Sequence, residues 1–199
     1  FGLGVSVGDL NGDTWPDIYV SNDFFERDYL YLNNQDGTFS DQTSALAPGL
    51  KEIGMVRSLA FSDVNGDGAE DLMIAGLWTP LQLLMNNNGK LELAVESGLG
   101  NTAGMYQTVT VKDIDQDGDE DIIAGNHGLN SRFEASQDAP IIIYINDFDQ
   151  NGSIEHIYTY HRDGKQYPMV QLKDLLKQLP GLKKEFLRFE SYKNASIDD

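Results

Sequence analysis

Half of the acidic residues in this 199-residue chain, 16 of 32, fall within four nine-residue segments that share one pattern. They are Asp9-Leu-Asn11-Gly-Asp13-Thr-Trp15-Pro-Asp17, Asp63-Val-Asn65-Gly-Asp67-Gly-Ala69-Glu-Asp71, Asp113-Ile-Asp115-Gln-Asp117-Gly-Asp119-Glu-Asp121 and Asp147-Phe-Asp149-Gln-Asn151-Gly-Ser153-Ile-Glu155. Each puts an oxygen-bearing side chain at positions 1, 3, 5 and 9. A tight loop that turns alternate side chains inward would bring those oxygens to one point. The carbonyl of position 7, at Trp15, Ala69, Asp119 or Ser153, would fill the remaining gap. Several carboxylates gathered without a cation repel one another, and a flexible cage of oxygen ligands suits Ca²⁺ better than Mg²⁺, which wants a stricter octahedron and keeps its waters. Asp, Asn and Gly also populate ordinary turns, but turn chemistry alone does not repeat one register four times.

The opening of the pattern is shared with the EF-hand, which further needs a bidentate Glu at position 12 and a helix on each side. Position 12 here is Val20, Ile74, Ala124 or Tyr158, which excludes it. The flanks read as strands: Leu3 to Val7 and Ile18 to Val20 about the first loop, Leu59 to Phe61 and Leu72 to Ile74 about the second, Val109 to Val111 and Ile122-Ile123 about the third. The first three loops begin at 9, 63 and 113, and between them a second marker recurs, Leu30-Tyr-Leu-Asn33-Asn34 with Asp36-Gly37 and then Leu83-Leu-Met-Asn86-Asn87 with Asn88-Gly89. These are hairpins. One period of about 50 residues therefore holds four strands, the content of a propeller blade. Ile143-Tyr-Ile-Asn146-Asp147 occupies the third hairpin position, so loop four reads as the inner hairpin turn of blade three rewritten as a cation loop.

Together the acidic strand-loop-strand unit, the Phe1-Gly2 start and the run from Leu30 to Phe39 resemble the FG-GAP/VCBS repeats found in the integrin α-subunit propeller and in secreted or surface-anchored bacterial proteins. The resemblance implies an all-β chain of about three four-stranded β-propeller blades over residues 1–161, with Ca²⁺ in the loops. Carried over by position, the ligands are Asp9, Asn11, Asp13 and Asp17; Asp63, Asn65, Asp67 and Asp71; and Asp113, Asp115, Asp117 and Asp121. Loop four departs in ending with Glu155, and loop one in having Thr14 at position 6 and Pro16 after it. Counting carboxylates, loop three should bind most tightly and loop four most weakly. Three blades cannot close a ring, so the expectation is a partial ring from a longer extracellular or cell-surface protein.

Composition agrees. The formal charge of -18 and a pI near 4.3 argue against nucleic acid as a partner. Hydrophobic residues make up 40%, enough for a core, and no run is long and apolar enough to insert directly into a membrane. Cys is absent, which removes disulfides and thiolate chemistry. The charge is uneven: residues 1–161 carry 26 acids and 6 bases, residues 162–199 carry 6 acids and 8 bases. The latter segment is expected to form a hairpin through Arg162-Asp163-Gly164-Lys165 and then a helical insertion or linker, with Leu172, Leu175, Leu176 and Leu179 on one helical face. A second amphipathic stretch puts Leu182, Phe186 and Phe189 inward.

Catalytic motifs fail. Gly4-Val-Ser6-Val-Gly8 matches the nucleophile-elbow pattern, but Ser6 falls inside a strand rather than at a strand-to-helix turn. His127, His156 and His161 lack zinc-ligand spacing. The expectation is a non-enzymatic, calcium-stabilised module for adhesion that binds a protein or carbohydrate ligand at the cell surface; the alternative is the propeller part of a secreted polysaccharide lyase or hydrolase.

Overall fold

Short runs of Val, Ile, Leu and Tyr, broken by Asn- and Gly-marked turns, build antiparallel sheets throughout the chain. The computed structural model describes residues 2–22, 26–128 and 131–198. Phe1 of the opening Phe1-Gly2 pair lies outside the described residues. The chain forms two compact units, Phe1–His127 and Gly128–Asp199. This division falls earlier than the charge step at 161/162.

In the first unit, β1 (Gly2–Gly8), β2 (Asp17–Asn22), β3 (Tyr29–Asn33) and β4 (Phe39–Asp41) form a four-stranded antiparallel meander in the order β1-β2-β3-β4. The short helix α1 (Thr43–Leu46) follows. The meander then repeats in β5 (Met55–Ser62), β6 (Asp71–Thr79), β7 (Gln82–Asn87) and β8 (Lys90–Leu93). The far end of β6 also pairs with the start of β9 (Gly104–Lys112), at Leu77↔Met105 and Thr79↔Gly104, and β9 pairs with β10 (Asp121–Asn126). Two whole blades and the first half of a third are thus present in this unit.

β6 shows why the blades stack. Its Leu72 and Ile74 face one way and Met73 and Ala75 the other, as the period of two dictates, and all four are buried. Leu72 and Ile74 join Leu10, Tyr19 and Leu30 of the first blade in one apolar cluster, against which Leu59 and Phe61 pack. Met73 and Ala75 join Tyr106 and Val109 of β9 in a second. A strand sandwiched between two neighbours must be apolar on both faces, which is the meaning of the unbroken Leu-Met-Ile-Ala run. The Tyr19 hydroxyl reaches the core only because Asp28, itself buried, accepts its hydrogen bond at 2.5 Å.

The second unit holds β11 (Ile142–Asn146), β12 (Glu155–Arg162) and β13 (Lys165–Pro168) in the order β11-β12-β13. The expected hairpin at 162–165 is present, with Asp163 and Gly164 both at positive φ, as a type I′ turn requires. Helix α2 (Leu172–Gln178) and a 3-10 turn (Pro180–Lys184) follow, packing Leu175 and Leu179 against Ile157. The second amphipathic stretch is corrected here. Arg188 is extended, which breaks the helical phase before α3 (Phe189–Tyr192). Phe189 consequently points outward, 64% exposed, and Tyr192 takes the inward place edge-on to Phe186 at 5.4 Å. Among the described residues no helix is long and apolar enough to cross a membrane.

Where the first two blades meet, Gly8 leaves no room for a side chain: a Cβ there would lie 2.6 Å from Glu70 Oε2 and 2.7 Å from the Phe61 ring. Gly8→Ala should therefore destabilise the chain by about 1–3 kcal/mol, the usual cost of overpacking. Urea denaturation would measure it, with an unchanged midpoint excluding this close approach.

Candidate metal centre

All four acidic segments connect adjacent antiparallel strands in one register. The residue before each loop pairs with position 9: Gly8↔Asp17, Ser62↔Asp71, Lys112↔Asp121 and Asn146↔Glu155. Ser6 lies within β1 opposite Tyr19, a strand interior that carries no elbow.

The internal hydrogen bonds repeat as well. Position 1 accepts from the N–H of position 6 in every copy: Thr14 to Asp9 at 2.8 Å, Gly68 to Asp63 at 2.8 Å, Gly118 to Asp113 at 3.1 Å and Gly152 to Asp147 at 2.9 Å. Position 5 accepts from the N–H of position 7, with Trp15, Ala69, Asp119 and Ser153 donating to Asp13, Asp67, Asp117 and Asn151. Position 3 accepts from the N–H of position 5 in the first three loops, through Asn11, Asn65 and Asp115. The backbone itself thus aims the side chains at positions 1, 3 and 5 toward the loop interior. Positions 4 and 6 take positive φ in all four copies. Thr14, at φ 70, holds the usual turn of loop one where Gly68, Gly118 and Gly152 stand in the others. A β-branched residue in that region is strained, since Cβ crowds the backbone.

Position 9 has a different task. Leu10 N–H donates to Asp17 at 3.0 Å, Val64 to Asp71 at 3.2 Å, Ile114 to Asp121 at 3.0 Å and Phe148 to Glu155 at 2.9 Å. In the first two blades the second carboxylate oxygen accepts from the third strand, Asn33 N–H to Asp17 at 2.9 Å and Asn86 N–H to Asp71 at 2.7 Å. Asp17 and Asp71 are completely buried, and burial raises both above the usual 3.8, the two N–H bonds opposing it and the neighbouring loop carboxylates adding to it. A raised folded-state value means that ionised Asp17 and Asp71 cost stability at neutral pH, a cost withdrawn as pH falls through that raised value. Asp13, partly exposed, and Asp67, exposed, are held below 3.8, chiefly by the N–H of Trp15 and of Ala69.

The carboxylates do not converge equally. Those of Asp113, Asp115 and Asp117 come within 4.8 Å of one another, and so do those of Asp147, Asp149 and Glu155. Asp121, counted as a fourth charge for loop three, is outside that group. In loops one and two the position 3 amide takes part instead, Asn11 Nδ2 donating to Asp13 at 3.1 Å and Asn65 Nδ2 to Asp67 at 2.9 Å. Clustered carboxylate oxygens on a loop with no nitrogen or sulfur donor fit a hard cation such as Ca²⁺.

Four further residues complete the arrangement. Asn33 and Asn86, visible in the sequence only as hairpin markers, also donate their side-chain amides to the position 8 carbonyls of Pro16 and Glu70. Asn86 reaches the Leu10 carbonyl of loop one as well, at 2.8 Å. The Glu70 carboxylate accepts the Asp9 N–H at 2.8 Å, tying loop two to loop one, and Gln35 Nε2 donates to Asp13. Between these two loops lies a polar cleft of about 560 Å³.

Repeated four-stranded antiparallel meanders, each with an acidic loop between its first two strands, define a β-propeller repeat protein. The family model for the FG-GAP-like repeat matches residues 9–74 and 63–124, and the chain belongs to that repeat family. It is 32% identical over 83 residues to integrin alpha-3 of Mus musculus, covering 37% of this chain and 8% of that protein. It is 31% identical over 135 residues to cartilage acidic protein 1 of Homo sapiens, covering 65% of this chain and 20% of that protein. The chain therefore spans at most about a fifth of the curated relatives it matches.

Two outcomes follow from the separate tasks within a loop. Asp17→Asn should cost about 1–3 kcal/mol even in chelator, because an amide nitrogen then faces a backbone N–H, whereas Asp13→Asn should leave the chelated protein nearly as stable; denaturation in excess chelator separates them. In calcium titration calorimetry, loops three and four should supply the tighter events, since their carboxylates converge. Asp117→Ala and Asp149→Ala should each remove one of them, and loss of the tightest event in Asp67→Ala instead would set charge convergence aside as the guide.

Proposed function

We propose that the chain is a calcium-stabilised, non-enzymatic propeller module of an extracellular or cell-surface protein, acting in adhesion by binding a protein or carbohydrate ligand. The observation that carries this reading is the four-fold repetition of one hydrogen-bonded acidic loop, with three carboxylates converging in loops three and four, in a chain of net charge -18. In loop one the cage would be Asp9, Asn11 and Asp13, in loop two Asp63, Asn65 and Asp67, and in loop three Asp113, Asp115 and Asp117. Loop four would use Asp147, Asp149 and Glu155, with Asn151 beside them. The position 7 carbonyls of Trp15, Ala69, Asp119 and Ser153 are assigned as further ligands, while Asp17, Asp71 and Asp121 act from behind by closing the loop.

Calcium supplies charge neutralisation rather than reaction chemistry. With the cation in place the crowded carboxylates stop repelling one another, and the loops become rigid corners of their blades. Loops of millimolar or sub-millimolar affinity fill only where calcium is abundant, as it is outside the cell. The integrin-like repeat supports the same location. The loops account for the carboxylates that an acid-base mechanism would otherwise use, which favours binding over catalysis.

Removing calcium should lower the melting temperature. A ligand present at 100 times its dissociation constant contributes about 2.7 kcal/mol per site, so chelation at several filled loops should move the transition by many degrees. A scan in excess chelator that superimposes on the calcium scan would overturn the structural role of the metal. Hydrolysis or elimination of an acidic polysaccharide by the purified chain would overturn the non-enzymatic assignment.

A further inference from the structure

Loops one and two are joined by two side chains that neither oxygen cage uses. Glu70, position 8 of loop two, is the first: its carboxylate accepts the N–H of Asp9, position 1 of loop one, at 2.8 Å. Asn86, near the end of β7, is the second, and it is only 3% exposed. Its Nδ2 donates to the Leu10 carbonyl of loop one at 2.8 Å and to the Glu70 carbonyl of loop two at 3.0 Å. Its Oδ1 accepts the Gly89 N–H at 2.8 Å and its own N–H is held by Asp71 at 2.7 Å, so the side chain is not free to serve one loop without the other. The next pair of loops lacks this bridge. Among the described residues, Glu120 at position 8 of loop three makes no hydrogen bond to loop two.

We propose that loops one and two bind calcium with positive cooperativity, Glu70 being the positioning residue that transmits occupancy between them and Asn86 holding the two loop backbones in the register this requires. The proposal rests on calcium occupying these loops. Each cage is tied to the bridge through one of its own ligands. In loop two the Ala69 carbonyl, assigned as the position 7 ligand, belongs to the peptide that leads into Glu70. In loop one the Asp9 carboxylate stands on the residue whose N–H Glu70 holds. A cation in either loop therefore fixes one end of the bridge, and ordering met by the first cation need not be met again by the second. Charge acts in the same direction. Two dications in neighbouring loops repel, and a carboxylate rooted in one loop with an oxygen on the other offsets that repulsion. The coupling is a free energy shared by both sites, so it is reciprocal.

Calcium titration calorimetry of the full chain tests this. Asp117→Ala with Asp149→Ala silences loops three and four and leaves the pair; adding Asp67→Ala isolates loop one, and adding Asp13→Ala isolates loop two. With both loops intact, the product of the two stepwise association constants should exceed the product of the isolated constants by about fivefold or more, the lower end of ordinary allosteric coupling. Glu70→Ala should abolish that excess. A merely structural Glu70 would shift the isolated constants and leave the excess standing, which overturns the proposal. Two events that bind independently overturn it as well, and leave the calcium reading intact. No binding at either loop overturns both. Restoring Asp117 should not change the constant of isolated loop two, because no bridge joins loops two and three; an equal excess there overturns Glu70 as the transmitter. Circular dichroism checks the fold of each variant. Should Glu70→Ala not fold, Glu70→Gln replaces it: the amide keeps an acceptor for the Asp9 N–H but not the charge, so the excess should fall about twofold, and an unchanged excess overturns the proposal.

Discussion

The carboxylate at position 9 of each acidic loop is the contact on which the rest of the architecture depends. In the first two blades it is a buried anion with both oxygens committed to backbone N–H groups, one at the entrance of the loop and one at the end of the third strand. It thus closes the loop and fastens the next hairpin to the strand pair with a single side chain. A buried carboxylate is costly unless its hydrogen bonds are made, and here they are made by groups that would otherwise be unsatisfied where the strands end. Loop closure and strand order are consequently one event.

From that contact the ligand geometry follows. Once position 9 ties the loop ends together, the eight-residue connection must coil, and positions 4 and 6 absorb the reversal at positive φ. The coil turns the N–H groups of positions 5, 6 and 7 inward, where the side chains at positions 1, 3 and 5 meet them. Those hydrogen bonds hold the carboxylates in place without a cation and leave further lone pairs free, since a carboxylate has about four acceptor sites. The orientation of these oxygens is therefore set during folding, and a cation entering such a loop would have only charge repulsion to relieve.

Much of this was legible in the sequence because it is written locally. The nine-residue register, the flanking strands, the Asn88-Gly89 and Asp163-Gly164 turns and the apolar face of Leu172, Leu175 and Leu179 are all short-range patterns. What escaped depends on contacts distant in sequence. Asn86 reads as a hairpin residue until its amide is seen on Leu10, 76 positions away, and Glu70 reads as one more acid until it accepts from Asp9. The inward placement of Phe189 failed because a helical period was carried through Arg188, an extended residue that resets the phase. The division after His127 has no compositional mark, because the charge step lies some 35 residues further on.

Loop four shows why counting charge differs from placing it. By composition it is the poorer site, with three carboxylates to the four of loop three. An Asp at position 9 is too short to serve both backbone and cage, and in loop three Asp121 accepts the Ile114 N–H and stays out of the cluster. Glu155 has one more methylene. It accepts the Phe148 N–H at 2.9 Å and still brings its carboxylate within 4.8 Å of Asp147 and Asp149. Both loops thereby present three converging carboxylates, by different routes. The variation at position 9 is therefore an exchange of reach for rigidity: Asp fixes the strand and leaves the cage to its neighbours, while Glu fixes the loop entrance and enters the cage as well. Loop four joins the first two strands of the β11-β12-β13 meander rather than serving as an inner hairpin turn, and β13 pairs with β12 only from Thr159 to Arg162, away from the second Glu155 oxygen.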